Sequence, residues 1–329
     1  MNLAQLDEIL RGEPAYRLKQ SKKAVFQDLI EDWNQATNLP LYLRENLNKE
    51  CSLSINGEFF ISKDQKTVKA LIFLEDGFKI ESVLMKHKDR NTICVSSQVG
   101  CPLGCKFCAT GKMGFKRNIE FFEIVEQVIF FARYLKKKAE RVTNVVFMGM
   151  GEPFLNYENV ISAIKILNDK EGFNLGARKF SISTVGITEG IEKLAKEKLQ
   201  INLAISLHAS NDKLRSELIP VNKKYNIKKI LKSVDNYIKK TRRRVMFEYL
   251  IIKDLNDSDE SAKELASLMK KPLYFVNLIS YNPTGDFQPS PKERIKTFKN
   301  ILEKKGVLVT ERYRFGREIK AACGQLAGK

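Results

Sequence analysis

The sequence predicts an α/β fold of parallel strands joined by crossover helices, preceded by a small N-terminal α+β accessory domain. The main observation is that, from about residue 92, short β-branched runs alternate six times with longer amphipathic stretches. In the residues before this alternation, apolar residues first recur at helical spacing and then form runs typical of antiparallel strands. A length of 329 residues fits one large domain with an appendage. We therefore expect the accessory domain over residues 1–90 and the α/β domain over residues 91–329.

The accessory domain is predicted to begin with helices and to continue with strands. Apolar residues recur at helical spacing around Leu6 and again between Val25 and Trp33. After Cys51, the segments EFFIS, VKALIFLED and FKIESVLMK are rich in β-branched and aromatic residues, and a turn is expected at Gly77. These features predict two or three antiparallel strands.

The α/β domain is predicted to contain six strand-helix units. In chain order, the pairs are TICVSS with EFFEIVEQVIFFARYLKKK, NVVFM with YENVISAIKILND, KFSIS with TEGIEKLAKEK, INLAISL with KKILKSVDNYIKK, VMFEYLII with DESAKELASLMKK, and YFVNLIS with KERIKTFKNILEKK. A terminal GVLVTERY predicts a further strand. Such alternation is typical of parallel strands with crossover helices.

Polar clusters follow the predicted strands. A cysteine-rich loop follows the first strand and GMGEP follows the second, while Ser183 ends the third. Ser206, Leu207 and His208 end the fourth, and Asn282 follows the sixth. Ligand sites of parallel α/β folds form at the carboxyl ends of the strands. These clusters are therefore expected to converge on one pocket.

The net charge points to an acidic partner. The chain has 57 Lys and Arg against 39 Asp and Glu, a formal net charge of +18. Such an excess of positive charge attracts polyanions, which makes RNA or DNA the first partner to consider. Single basic runs, such as 136–138 and 239–244, are also consistent with a solubilising surface.

The sequence argues against a membrane or secreted protein. No apolar run approaches the ~18 residues that a membrane helix needs. The N-terminus MNLAQLDEILRGEP is polar, and six cysteines are sparse for a disulfide framework. We therefore expect a cytoplasmic protein in a reducing compartment.

Three cysteines have the spacing of an incomplete metal site. Cys101, Cys105 and Cys108 form a CxxxCxxC pattern within one short loop. A structural zinc site needs four closed ligands, and the chain has only two histidines, His87 and His208, far from the loop in sequence. A 4Fe-4S cluster is normally held by four thiolates, so three leave one iron open to a further ligand. An open iron indicates catalysis.

The loop, with Phe107 before its last cysteine, resembles the signature of the radical S-adenosylmethionine (SAM) superfamily. The segments GEPAYRLKQ, CVSSQVGC, GMGEPFLN, SISTVG, ISLHAS, YNP and AACGQLAG resemble the RNA adenine methyltransferases that modify C2 of an adenine in 23S rRNA and in tRNA. The resemblance implies a partial, six-stranded (β/α)6 barrel, one 4Fe-4S cluster and SAM. It also implies an electron donor such as flavodoxin or ferredoxin, and we expect a monomer.

The same resemblance implies roles for the clustered residues. Cys101, Cys105 and Cys108 would hold the cluster, and SAM would contact Gly151, Glu152, Ser183, Ser206, Leu207, His208 and Asn282. Glycines let a ligand approach the main chain, and a carboxylate accepts hydrogen bonds from an ammonium group. Serine and asparagine at strand ends also cap helices and close turns, which is the alternative for these positions.

Three further residues would carry the chemistry. By resemblance, Cys323 receives a methyl group from SAM, and a 5′-deoxyadenosyl radical from a second SAM takes hydrogen from that methyl group. The carbon radical adds to adenine and links protein to RNA. Cys94 then releases the product through a transient disulfide with Cys323, and Glu81 accepts a proton. A cysteine in a strand, such as Cys94, is otherwise a small buried hydrophobe.

Two alternatives stay open from the sequence. A sister family methylates C8 of the same rRNA adenine, and Phe315-Gly316 in the tail resembles that family, whereas Pro153 resembles the C2 enzymes. The other alternative is a non-enzymatic nucleic-acid-binding protein in which zinc is held by the loop cysteines with Cys94 or Cys323. In either enzyme, the basic helical region over residues 1–45 is expected to help bind RNA.

Overall fold

The computed structural model describes residues 5–285, 287–312, 316 and 318–328. Its N-terminal region contains the helices α1 Leu6–Ile9, α2 Ala15–Phe26 and α3 Leu41–Glu50. Prolines 14 and 40 directly precede α2 and α3, where a missing backbone N–H costs little. Trp33 is fully buried between these helices, and its Nε1 donates to the carbonyl of Cys51 over 2.7 Å. The predicted helical start is confirmed.

A mixed sheet of ten strands forms the centre of the molecule. The twelve strands of the described residues are β1 Gly57–Ile61, β2 Thr67–Phe73, β3 Lys79–His87, β4 Arg90–Val95, β5 Gln98–Gly100, β6 Phe115–Asn118, β7 Asn144–Phe147, β8 Phe180–Thr184, β9 Asn202–Ser206, β10 Val245–Ile251, β11 Tyr274–Ser280 and β12 Val309–Glu311. The order in the sheet is β1-β2-β3-β4-β7-β8-β9-β10-β11-β12. Within this sheet, β1 to β4 pair antiparallel, and every pair from β4 to β12 is parallel. β5 and β6 form a separate antiparallel hairpin.

Helices cover the parallel part of the sheet. They are α4 Ala109–Lys112, α5 Phe121–Lys136, α6 Tyr157–Asn168, α7 Thr188–Leu194, α8 Asp212–Leu218, α9 Ile227–Thr241, α10 Asp259–Leu268 and α11 Lys292–Lys304. The six predicted strand-helix units are confirmed, and β12 supplies the further strand. The hairpin of β5 with β6 and the helix α8 were not predicted. The two strands of the hairpin have three and four residues, too few to show a periodic pattern.

The accessory strands belong to the same sheet as the parallel strands. β4 pairs antiparallel with β3, with Val83 opposite Cys94, and parallel with β7 on its other side. The division at residue 90 remains a prediction, because hydrogen bonding in the sheet continues across it. Among the described residues, no helix is long and apolar enough to cross a membrane.

Candidate active site

One cavity lies at the carboxyl ends of the parallel strands, and we call it the main cavity. Of the residues singled out from the sequence, it is lined by Cys94, Cys101, Cys105, Cys108, Gly151, Glu152, Ser183, Ser206, His208, Asn282 and Cys323. Glu81 and Leu207 do not line it. Because parallel strands end at the same edge, motifs far apart in sequence meet here.

The cysteine loop is held between the two strands of the β5-β6 hairpin. Gly100 has φ +75°, and a Cβ there would lie 1.8 Å from the carbonyl oxygen of Gly114, so only glycine fits. Burial raises the pKa of Cys101 to about 12, and burial with Cys108 raises that of Cys105 well above its usual value. Burial therefore keeps the thiols of Cys101 and Cys105 protonated until a metal displaces the protons.

The three thiols fit a cluster better than a single ion. Among the described residues, no three His, Cys, Asp or Glu side chains lie close enough together to hold one metal ion. A 4Fe-4S cube binds each thiolate through a different iron, so its cysteines surround the group instead of meeting at one point. Cys101, Cys105 and Cys108 line one cavity, which fits a cluster held by three thiolates.

The GMGEP loop packs tightly beside the cysteine loop. Gly151 has φ +97°, and a Cβ there would lie 2.5 Å from the Cβ of Gln98. Glu152 is buried, and its carboxylate accepts hydrogen bonds from the backbone N–H groups of Phe154 and Val185, at 3.1 and 2.9 Å. Burial raises its pKa to about 7. Two backbone donors leave acceptor capacity on Glu152 for a ligand.

A carboxylate that sequence reasoning missed connects three strand ends. Glu248 Oε2 accepts from Ser183 Oγ at 2.6 Å and from Ser206 Oγ at 3.4 Å, and Arg312 Nη1 donates to Glu248 Oε1 at 3.2 Å. The signal was present, since Glu248 is the one charged residue in the apolar run VMFEYLII. Buried charges without a partner are rare. Arg312 is the partner, and it also lines the main cavity.

His208 is neutral and has a defined tautomer. Its Nδ1 accepts from the backbone N–H of Leu250 at 3.1 Å, so Nε2 carries the hydrogen. Burial lowers its pKa to about 3. The ring lies edge-on to Phe107, with centroids 4.9 Å apart. The preceding residue, Leu207, is fully buried in the core, and its backbone N–H donates to the carbonyl of Glu248 at 3.0 Å.

Arg215 holds the loops behind the main cavity in place. This side chain is fully buried and donates to the carbonyls of Val185, Ser206, Leu207 and Tyr225 and to Asn222 Oδ1, at distances of 2.5 to 3.2 Å. Its acceptors are neutral, and burial lowers its pKa to about 10. One guanidinium thus connects the ends of β8 and β9 to the segment after α8.

Replacing Arg215 by methionine is expected to destabilise the fold by on the order of 3 kcal/mol, because several buried acceptors lose their donor. Urea denaturation of the two proteins measures the difference. Lys213→Met, on the exposed face of the same helix, should change stability by less than about 0.5 kcal/mol. Equal stability of the Arg215 variant and the wild type would contradict this role.

Two cysteines and one arginine meet in the main cavity. Cys94 projects from β4, and its pKa is raised to about 12, first by burial and next by the neighbouring Cys323. The pKa of Arg312 is raised, chiefly by Cys323 and then by Glu248. The positive charge of Arg312 acts in the opposite direction and lowers the pKa of Cys94. A fixed cation therefore favours a thiolate at this place.

The tail residues 321–328 close the main cavity over the cysteine loop. Asn282 Nδ2 donates to the Cys323 carbonyl at 3.3 Å. The N–H of Ala109 donates to the Gly324 carbonyl, and Thr110 Oγ1 donates to the Leu326 carbonyl, both at 2.7 Å. The tail and the cysteine loop thus form one hydrogen-bonded unit. Phe315, which bears on the C2 or C8 question, lies outside the described residues.

Glu81 binds the tail directly. Its Oε2 accepts from the N–H groups of Ala327 and Gly328, at 2.6 and 3.0 Å, and its Oε1 pairs with Lys69 Nζ at 2.6 Å. Alternation along β3 places Glu81 on the same face as Val83 and Met85, which line the main cavity. The tail therefore lies between this carboxylate and the main cavity.

Comparisons with known proteins agree with this geometry. The family model of the radical SAM superfamily matches residues 95–266. The "Probable dual-specificity RNA methyltransferase RlmN" of Dictyoglomus turgidum is 49% identical over 317 residues, which cover 96% of this chain and 91% of that protein. The "Ribosomal RNA large subunit methyltransferase N" of Nitrosopumilus maritimus is 47% identical over 327 residues, covering 96% and 93%.

A solved structure supports the same assignment. The crystal structure of a radical SAM methyltransferase from Sphaerobacter thermophilus superimposes with a TM-score of 0.96 at 44% identity, and the match covers 100% of this chain and 98% of that one. The predicted fold class is thereby confirmed. The chain belongs to the radical SAM superfamily and, within it, to the dual-specificity RNA methyltransferases of the RlmN type.

Proposed function

We propose that this chain methylates C2 of an adenine in 23S rRNA and in tRNA, using Cys323 as the carrier of the methyl group. The observation that carries the proposal is the meeting of Cys94, Cys323 and the three loop cysteines in one cavity. The full-length relatives support an RNA substrate, since one is named a dual-specificity RNA methyltransferase and another a methyltransferase of large-subunit ribosomal RNA.

The residues around the main cavity are suited to hold the two cofactors that the superfamily uses. Cys101, Cys105 and Cys108 would hold the 4Fe-4S cluster. Glu152, with Gly151 beside it, would accept from the amino group of SAM, and Ser183, Ser206, His208 Nε2 and Asn282 would supply further polar contacts. Leu207 would act through its backbone, because its side chain is in the core. A flavodoxin or ferredoxin in the cytoplasm would supply electrons.

Cys323 is proposed to take a methyl group onto its sulfur by displacement from SAM, with loss of the thiol proton. When bound, the cluster and SAM would supply the 5′-deoxyadenosyl radical that removes a hydrogen atom from this methyl group, and the cluster would be the acceptor for the one electron that the adduct with RNA has to lose. The sulfur-bound carbon bonds to C2, so Cys323 is joined to the RNA. Arg312 lines the same cavity, and its positive charge would offset negative charge on the sulfurs of Cys94 and Cys323.

Release of the product needs Glu81 and Cys94. Glu81 accepts the proton from C2, and this step requires the tail amides of Ala327 and Gly328 to leave the carboxylate. Cys94 attacks the sulfur of Cys323, the bond from sulfur to carbon breaks, and the carbon takes a proton to become the methyl group. A thiol from outside then reduces the disulfide.

The N-terminal region offers part of an RNA surface. Tyr16, Leu41 and Tyr42 are exposed by 52%, 59% and 58%, and the guanidinium of Arg17 lies 4.8 Å from the centre of the Tyr16 ring. Exposed aromatic rings beside arginine suit stacking with unpaired bases. Unchanged RNA affinity after Tyr16→Ala and Tyr42→Ala would remove this part of the proposal.

Product analysis tests the whole proposal. The protein is reconstituted anaerobically with iron and sulfide, then incubated with SAM, reductant and either an rRNA fragment or tRNA. We expect 5′-deoxyadenosine together with 2-methyladenosine from both RNAs. 8-Methyladenosine would assign the chain to the C8 chemistry, and neither product from cluster-loaded protein would overturn the proposal.

Release of the RNA from Cys323 is expected to accelerate with pH. Because burial holds the pKa of Cys94 at about 12, only a small fraction is thiolate near neutral pH. The rate should rise about tenfold per unit between about pH 7 and pH 9. Single-turnover quench experiments measure it. Arg312→Gln should slow release at each pH and keep the slope, whereas release independent of pH would contradict the role of Cys94.

A further inference from the structure

A second pocket, distinct from the main cavity, opens at the amino-terminal ends of β8 to β12, and we call it the arginine pocket. It encloses about 700 Å³, within the usual range of small-molecule sites. Residues from the segments that precede β8, β9 and β10 form its rim. β10 has seven residues, so its length of about 20 Å separates this pocket from the chemistry at the other end of the strands.

Four arginines line the arginine pocket: Arg178, Arg242, Arg243 and Arg244. No aspartate or glutamate is among its described lining residues, and none of the four arginines forms an ion pair within the part of the chain that the structure describes. This clustering of like charge is unfavourable unless an anion compensates for it.

The contacts that these arginines make leave the charge uncompensated. Arg178 Nε donates to Gln200 Oε1 at 2.6 Å, and Arg243 Nη2 donates to Asn202 Oδ1 at 2.7 Å. Both acceptors are neutral amides. Among the described residues, the buried Nε of Arg243 has no hydrogen-bond acceptor, although the guanidinium also lies beside the neutral hydroxyl of Tyr237. A buried donor without an acceptor is costly, and a bound oxyanion would satisfy it.

The floor of the arginine pocket is apolar. Leu203, Met246 and Phe275 contribute to it. Guanidinium groups match phosphate oxygens with paired hydrogen bonds, and an apolar floor accommodates a ring. We propose that the arginine pocket binds a small phosphate monoester carrying an aromatic or apolar group, such as a nucleoside monophosphate.

The neighbouring helix offers a matched control. Lys239 and Lys240 belong to the same basic run as Arg242, Arg243 and Arg244, and they are exposed outside the pocket lining. Lys239→Gln with Lys240→Gln therefore removes as much charge as Arg243→Gln with Arg244→Gln without touching the pocket. Comparison of the two variants distinguishes specific binding in the arginine pocket from nonspecific attraction of anions to a basic surface.

The test is a titration of the full chain, labelled with carbon-13 in its methionine methyl groups and followed by NMR. Met246 reports on the arginine pocket and is assigned with Met246→Leu, while Met148 reports on the main cavity. Adenosine monophosphate should shift the Met246 signal saturably and leave Met148 unchanged. Inorganic phosphate should bind more weakly, and adenosine alone should cause no shift.

Arg243→Gln with Arg244→Gln should weaken binding at least about tenfold, and the lysine pair should leave it unchanged. Arg178→Gln, on an exposed position of a separate segment, gives the same test if the double variant does not fold. No saturable shift up to about 1 mM, equal weakening by the lysine pair, or a shift with an RNA oligonucleotide alone would overturn the proposal. The readout does not depend on methyl transfer.

Discussion

Cys323→Ala is expected to form no methylated adenine, a loss of at least about a thousandfold. The proposed carrier sulfur is absent in this variant, and no other nucleophilic side chain lies on the tail residues 321–328. Nucleoside mass spectrometry measures the product. In the wild type, the tail peptide should also gain the mass of one methyl group on incubation with SAM, and in the variant it should not.

Controls make this result specific. Cys51→Ala removes a buried cysteine whose carbonyl accepts from Trp33 and which does not line the main cavity, and this variant should keep its activity. Iron and sulfide contents of the Cys323 variant should equal those of the wild type, because the proposed cluster ligands are unchanged. Methyladenine at the wild-type level from Cys323→Ala would show that the methyl group takes another route.

Cys94→Ala is expected to accumulate a covalent complex between protein and RNA. Without the Cys94 thiol, nothing attacks the sulfur of Cys323 after the bond to adenine has formed, so release falls by at least about a hundredfold. Denaturing gels with labelled RNA detect the complex.

The double variant Cys94→Ala with Cys323→Ala is the matched control, since it lacks the attachment point and should form no complex. Release from Cys94→Ala at the wild-type rate, with no covalent complex, would mean that another group resolves the intermediate. Arg312 would then require another role, because its proposed effect is on these two sulfurs.

The sequence located most of the main cavity because parallel strands end together. The cysteine loop, GMGEP and Asn282 each follow a strand that periodicity identifies, and Ser183 lies near the end of one, so their convergence follows from topology. The single charge of Glu248 in an apolar strand marks it as unusual, but the sequence does not show which face of the sheet it occupies or that Arg312, just after β12, is its partner. Their pairing connects strands that are not consecutive in the chain.

Contacts across long sequence separations could not be predicted. Glu81 meets the amides of Ala327 and Gly328, more than two hundred residues away, and no local pattern encodes that contact. The accessory strands were also predicted to form a domain separate from the parallel strands, because the strand-helix alternation begins only at about residue 92. Hydrogen bonds between β3 and β4 continue the sheet across that point.

A single-turnover isotope experiment shows directly whether the methyl group passes through Cys323 on its way to adenine. Protein is first incubated with SAM carrying a carbon-13 methyl group and then freed of small molecules. It is next given unlabelled SAM, reductant and RNA for one turnover. If the methyl group passes through Cys323, the methyladenine formed will carry carbon-13. Methyladenine with the unlabelled methyl group would contradict it.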